Sequence, residues 1–254
     1  MQRSYISVEE AVPLPGLRIA FTQGVPGPWS EAAKAFCEIK GIDYQPVVQV
    51  GGDANAALQA WTGQNSAPCA VFDDERPRSH WSEILMLTER LQPEPRLVPL
   101  DEDDRALMFG IAHELCGEDG FGWSVRLLML HVMEQTNAGV PVAHMRRKFS
   151  SGAPLDHAAT RAAKIWDMLA RRLELQQSLG SDYLVGASLT AADIYWTCFS
   201  NLVAAMDARD CPMPQFYRDW GAACVELIGQ PVPAILLAHR ERILRRHFTL
   251  PMWF

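Results

Sequence analysis

The stretch from Tyr183 to Trp196, YLVGASLTAADIYW, constrains what this chain can fold into more than any other. Thr190 and Asp193 stand three apart at the head of an apolar run, the spacing of a capping box. In such a box the threonine hydroxyl accepts from a main-chain N–H one turn in, and the acid reaches back to the cap's own N–H. Asp stands where Glu or Gln is more usual. The box fixes a helix start, and the helix is expected over 190–207. Losing such a box costs about 1 kcal/mol or more of stability.

The remaining punctuation divides the chain in two. LRIAF, Leu17 to Phe21, is short, apolar and β-prone, and the Gly/Pro-rich turn GVPGP follows it. Ser30 to Lys40 reads as a helix, with Ala32, Ala33, Phe36 and Cys37 at helical spacing and Gly41 just past the end. Asp43 to Val50 is extended, a short helix is expected near 53–62, and Cys69 to Phe72 is a strand after Pro68. A further strand is expected near Ser79, then a helix from Ser82 to about Leu91. QPEPRLVPLDEDD has linker chemistry, being rich in proline and acid. Beyond it the pattern is helical, near 103–117, 122–136, 155–179, 190–207, 214–228 and 232–246. The expected organisation is a βαβ-ββα unit, a linker and a helical bundle.

Composition excludes several classes. The net charge of −7 over 254 residues speaks against nucleic acid as a partner. The six cysteines, Cys37, Cys69, Cys116, Cys198, Cys211 and Cys224, form no CxxC pair and no Cys/His cluster, which argues against a metal and suits a reducing compartment. No stretch approaches the ~18 uncharged apolar residues of a membrane span. Residues 1–16 carry Glu9 and Glu10 and lack an apolar signal core, so they read as an extension and the expected compartment is the cytoplasm.

YLVG-x-SLT-x-ADI closely resembles the segment that begins the core helix in the C-terminal domain of cytosolic glutathione S-transferases. The resemblance runs over roughly residues 17 to 246. It implies a thioredoxin-like glutathione-binding domain over 17–92, a linker over 93–102 and an all-helical C-terminal domain over 103–254. It also implies glutathione as co-substrate, no metal, a homodimer and a hydrophobic second substrate.

NSAPCAVF resembles the family's strand in which a cis proline presents backbone groups to the cysteinyl unit of glutathione. This assigns Ala67 and Pro68 to binding; from spacing alone Pro68 reads as a trans proline opening a strand. HWSEILML resembles the family's acid-or-glutamine plus serine that open a helix and hold the γ-glutamyl end. That makes Trp81 and Ser82 binding residues, with Trp81 in place of the polar one. A serine hydroxyl, free N–H groups and the helix dipole suit an anion there; the plainer reading is that Ser82 only caps its helix.

At the turn after the first strand the family keeps a Tyr, Ser or Cys that stabilises or replaces the thiolate. Aligned there, this chain has Gly27 at the reactive position, then Pro28, Trp29 and Ser30; Phe21, near the tyrosine position, has no hydroxyl. Three readings stand. Ser30, or Thr22 or Gln23, donates to the thiolate; or backbone N–H groups at the helix start suffice; or there is no thiol chemistry. In the first two Trp29 walls the site. Cys69 lies off the reactive position.

In the helical domain, HELCGEDGFGW makes a Gly-rich acidic turn, and the family lines its second-substrate pocket with the helix holding Phe109, His113 and Cys116. His113 is either a general base or a solvated histidine. Met252, Trp253 and Phe254 are candidates for a lid, against a plain folded-back tail. The implied function is transfer of glutathione thiolate to a hydrophobic electrophile. The rival is a non-catalytic binding or assembly module that kept the fold.

Overall fold

The computed structural model describes residues 4–136, 142–149 and 152–254. It forms two compact units. One takes in the chain up to Pro95 together with Arg209–Pro212 and Phe248–Phe254; the other is Arg96–Ala208 with Met213–His247.

In the first unit, three strands, β1 (Leu17–Thr22), β2 (Gln45–Gln49) and β3 (Cys69–Phe72), pair in the order β2-β1-β3. The central β1 runs parallel to β2, with Phe21 opposite Val48, and antiparallel to β3, with Ala20 opposite Cys69. Its side chains alternate between faces. Leu17, Ile19 and Phe21 pack with α2 (Pro28–Lys40) and α4 (Trp81–Leu91). Ala20 packs on the other face with α1 (Val8–Ala11) and α3 (Ala56–Thr62). The layers are therefore helix, sheet, helix, in the thioredoxin-like manner. The polar member of β1, Arg18, is 2% exposed. It donates to the carbonyls of Ala11, Val12, Leu14 and Asp73, tying the chain before β1 to the sheet.

Two details differ from the sequence expectation. The plain extension before β1 holds α1, capped by Ser7 and Glu10 on each other's N–H groups, and Ile6 bridges Val47 at the sheet edge. The strand expected near Ser79 is a single bridge between Arg78 and Ala70. Pro77 on one side has no N–H to pair, and His80 on the other already caps α4, so only Arg78 and Ser79 are left, and Arg78 alone pairs.

The second unit holds α5 (Glu102–Cys116), α6 (Phe121–Gln135), α7 (Val142–Phe149), α8 (Leu155–Ser178), α9 (Ala191–Ser200), α10 (Gln215–Ile228) and α11 (Ala234–His247); α9 lies against α5 and α11, and every one of its residues is buried. The capping box forms. Asp193 accepts from Thr190 N at 2.8 Å, from the Thr190 hydroxyl at 2.9 Å and from Leu184 N at 2.7 Å. The helix stops at Ser200, short of the expected 207. There Ser200 Oγ bonds back to Thr197 O, and Asn201 Oδ1 takes the N–H of Met206, turning the chain.

Candidate functional site

The strand register gathers the site at one end of the first unit's sheet. Continuing the pairing of Ala20 with Cys69 brings Pro68 and Ala67 alongside Phe21 and Thr22, where β1 hands over to α2. The bridge between Ala70 and Arg78 sends the following residues back in the same direction, to the first turn of α4. Trp29, Ser30, Ala67, Pro68, Trp81 and Ser82 thus come from three segments that end together.

Gly27 is the N-cap of α2 and Pro28 opens it. A glycine has no side chain with which to cap, and among the described residues the Ser30 N–H has no hydrogen-bond partner. The Ser30 hydroxyl has none either, although the residue is only 4% exposed; its Oγ stands 3.9 Å from the place a Cβ on Gly27 would take. The result is a donor pair, hydroxyl and N–H, at the positive end of a helix. Thr22 is different, because its hydroxyl is committed to Gln49 Oε1. Gln23 is exposed, and its main-chain N–H goes to Gln49 O at 3.3 Å. Phe21 is buried, its ring 6.0 Å from that of Tyr44. Trp29 is half-buried beside the turn.

The Ala67–Pro68 peptide is cis. Ala67 precedes β3, and neither its N–H nor its carbonyl is used within the described chain, so both are open to a ligand's main chain. Gln49, buried under this turn, donates to Asn65 O at 3.2 Å and holds the approach to it.

At α4 the structure adds a residue that sequence reasoning passed over. His80 is the N-cap; its Nδ1 accepts from Ser82 N at 3.4 Å and stands 2.7 Å from Ser82 Oγ. The Ser82 hydroxyl, half-buried, is therefore oriented by an imidazole. Trp81 is half-buried and its ring lies 5.2 Å from that of His80. The legible signal was a histidine two before the serine, at the position where a cap belongs. Glu83 pairs with Arg76 at 2.8 Å, and that guanidinium holds its carboxyl below the usual range.

Phe109, His113 and Cys116 fall on one side of α5 but at different depths. Phe109 is half-buried, 5.2 Å from the Arg105 guanidinium; His113 is exposed. A Cβ on Gly117 would stand 2.6 Å from the His113 ring, which can turn aside, and 2.8 Å from the His113 carbonyl, which cannot, so the main chain favours glycine there. Cys116, 2% exposed, lies in the core with Tyr195 and Cys198, and burial pushes its thiol up. A depression of about 300 Å³ opens on another side of α5, floored by Leu107, Ile111, Ile165 and Met168 with Arg161 and Lys164 at its edge. Cys69 is buried in β3 with its thiol pushed up to about 11 by desolvation. Among the described residues there is no group of three metal-ligating side chains, and no helix is long and apolar enough to cross a membrane.

No family model and no curated protein matches the sequence. Solved structures match its fold. A glutathione S-transferase from Methylobacterium radiotolerans, in complex with glutathione sulfonate, is 18% identical, with 91% of each chain covered and a TM-score of 0.59. A glutathione transferase family member from Pseudomonas fluorescens, with two glutathione bound, is 13% identical, with 94% of each chain covered and a TM-score of 0.62. A glutathione S-transferase domain-containing protein from Marinobacter aquaeolei is 16% identical, covering 90% of this chain and 98% of its own, at a TM-score of 0.61. The chain has the glutathione S-transferase fold: a thioredoxin-like α/β unit and an all-helical unit.

Proposed function

We propose that this protein binds glutathione along the open end of its first unit and activates the thiol for transfer to a hydrophobic electrophile. The observation that carries the reading is the unpartnered Ser30 hydroxyl at the start of α2, beside a free N–H. An anion is the ligand such a donor pair favours. In this reading the γ-glutamyl end lies at Ser82 and the first turn of α4. The cysteinyl unit pairs with Ala67 ahead of Pro68, Trp29 walls one side, and the sulfur points at Ser30. The thiol proton leaves to solvent. The thiolate then forms a C–S bond with the electrophile, whose leaving group departs with the electron pair. Two solved neighbours of the same fold carry glutathione or its sulfonate, which supports the ligand. The reading extends to a cytoplasmic homodimer, which sedimentation would check.

A non-catalytic binding module is the second reading, favoured by Gly27 and Phe21 standing where an activating side chain is expected. Retention on immobilised glutathione and a thermal shift at millimolar glutathione test the binding step. Ser82→Ala is expected to weaken binding about ten- to hundredfold, the ~1.5–3 kcal/mol of one hydrogen bond to a charged group. Ser30→Ala is expected to leave binding intact and raise the thiol pKa of bound glutathione, read from thiolate absorbance, by one to two units, as ~1.5–3 kcal/mol implies. No retention and no shift sinks the enzyme reading. Binding with an unperturbed thiol pKa in the unaltered protein leaves the binding module.

A further inference from the structure

One turn of α2 carries a charged pair that is almost dry. Glu31 and Lys34 are 5% and 3% exposed, although an i, i+3 pair on a helix surface is ordinarily solvated. The cover over Lys34 includes the segment Phe248–Phe254, which belongs to the same unit. Lys34 Nζ donates to Glu31 Oε1 at 3.0 Å and to Trp253 O at 2.8 Å, joining pair and cover through one ammonium. Three rings surround that ammonium, with centroids at 5.0 Å for Phe21, 4.3 Å for Trp253 and 5.7 Å for Phe254. Trp253 Nε1 donates to Glu38 at 3.3 Å, and its ring meets Tyr5 edge-on at 5.7 Å. Met252 N donates to Asp210 O at 2.7 Å.

We propose that Phe248–Phe254 is a proton-controlled clasp on α2, closed while Glu31 carries a proton and loosened when Glu31 ionises. The cover removes water from a carboxyl whose charged form needs it, so closing and ionisation oppose each other. The groups facing Glu31 are Lys34 and Glu38 on α2 and Tyr5 from the segment before α1; the clasp brings no titratable side chain. Burial dominates, Lys34 opposes it, Glu38 reinforces it, and the carboxyl is pushed up to about 7. Burial and Glu31 push the Tyr5 phenol up, so it stays neutral across this range. Because the closed state raises the acid's pKa, closing is strongest at low pH and is lost as pH rises through about 7. With an ordinary carboxyl in the open state, the closing constant falls about tenfold between pH 6 and pH 8. Opening uncovers Phe21 and Lys34 within a turn of Ser30.

Hydrogen–deuterium exchange of the peptide covering residues 248–254, corrected for intrinsic rates, tests this on the whole protein. The expected result is a protection factor about tenfold lower at pH 8 than at pH 6, while amides inside α2 hold steady. Glu31→Gln is expected to keep the segment protected at both pH values. A flat profile in the unaltered protein, a slope that survives Glu31→Gln, or a slope shared by the α2 interior overturns the clasp. Trp253→Ala gives a second measurement should Glu31→Gln fail to fold. It is expected to return the Glu31 carboxyl, followed by carbon NMR, from about 7 to an ordinary acid value, and a titration that stays near 7 refutes the proposal.

Discussion

Replacing Asp193 is expected to damage this protein more than replacing the threonine it pairs with, and the structure fixes the ratio. Asp193 is completely buried, and its carboxylate is the acceptor for two main-chain N–H groups, of Leu184 and Thr190, and for the Thr190 hydroxyl. His239 Nε2, also buried, lies 3.1 Å away. Asp193→Ala orphans three donors at once. At ~1–2 kcal/mol for each unsatisfied buried group, the loss is about 3–6 kcal/mol. Thr190→Val removes one donor and leaves the carboxylate its two N–H partners, so about 1 kcal/mol is expected. In the double variant no hydroxyl remains to be orphaned, and the combined loss should fall short of the sum by about 1 kcal/mol. Urea unfolding followed by far-ultraviolet circular dichroism measures the series, with amide exchange in α9 reporting the second unit alone, since two units need not unfold together. An Asp193→Ala loss below about 1 kcal/mol, or one no larger than that of Thr190→Val, would refute the reasoning.

Lys40 and Glu89 tie α2 to α4 at 2.6 Å with both side chains buried, and Lys40 also donates to the carbonyls of Gln92 and Pro95. Lys40→Met should cost about 3 kcal/mol, because it breaks a buried ion pair and leaves two carbonyls without their donor, and a loss of unfolding free energy under a quarter of that would show the pair to be idle. All six cysteines are free and buried. A disulfide reagent at pH 8 should therefore find no fast-reacting thiol in the native protein and six after denaturation; rapid native labelling would contradict the burial of Cys69 or Cys116.

What the sequence made legible was local chemistry. The Thr190–Asp193 box, the left-handed Gly41 that ends α2, and the β-prone runs at 17–21 and 69–72 each announce themselves within a few residues. The hidden features depend on partners far along the chain. Glu31 and Lys34 look like a solvated helix face until Trp253, 219 positions beyond Lys34, is laid over them. α1 spans four residues, too short for periodicity to register, and is held by Arg18 reaching back from β1. α7 carries Arg146, Arg147 and Lys148 in its last turn, which dilute any apolar stripe. At the site, the residues around Ser30 were readable from their order. That Thr22 is spent on Gln49, and that His80 orients Ser82, needed the neighbours in place.

Glycine at the start of α2 is less of a deficit than it looks. A free thiol has a pKa of ~8.5, and a helix N-terminus supplies ~0.3–1 kcal/mol toward its anion, reaching ~2 where solvent is partly excluded. That alone leaves a thiol near 8, about one-tenth ionised at pH 7. One hydroxyl donating to the sulfur adds ~1.5–3 kcal/mol, one to two units, and brings the thiol to about 6–7. In the proposed reading Ser30 supplies it, because Gly27, the N-cap, brings no side chain that would consume the Ser30 hydroxyl. A capping Ser, Thr or Asp at 27 would itself accept from the first-turn N–H groups and lower their value to a ligand anion. On this account Gly27→Asp stabilises α2, yet it raises the thiol pKa of bound glutathione by placing a carboxylate where the sulfur lies. A Gly27→Asp protein with higher melting temperature and an unchanged thiol pKa would break the link between the bare cap and the chemistry.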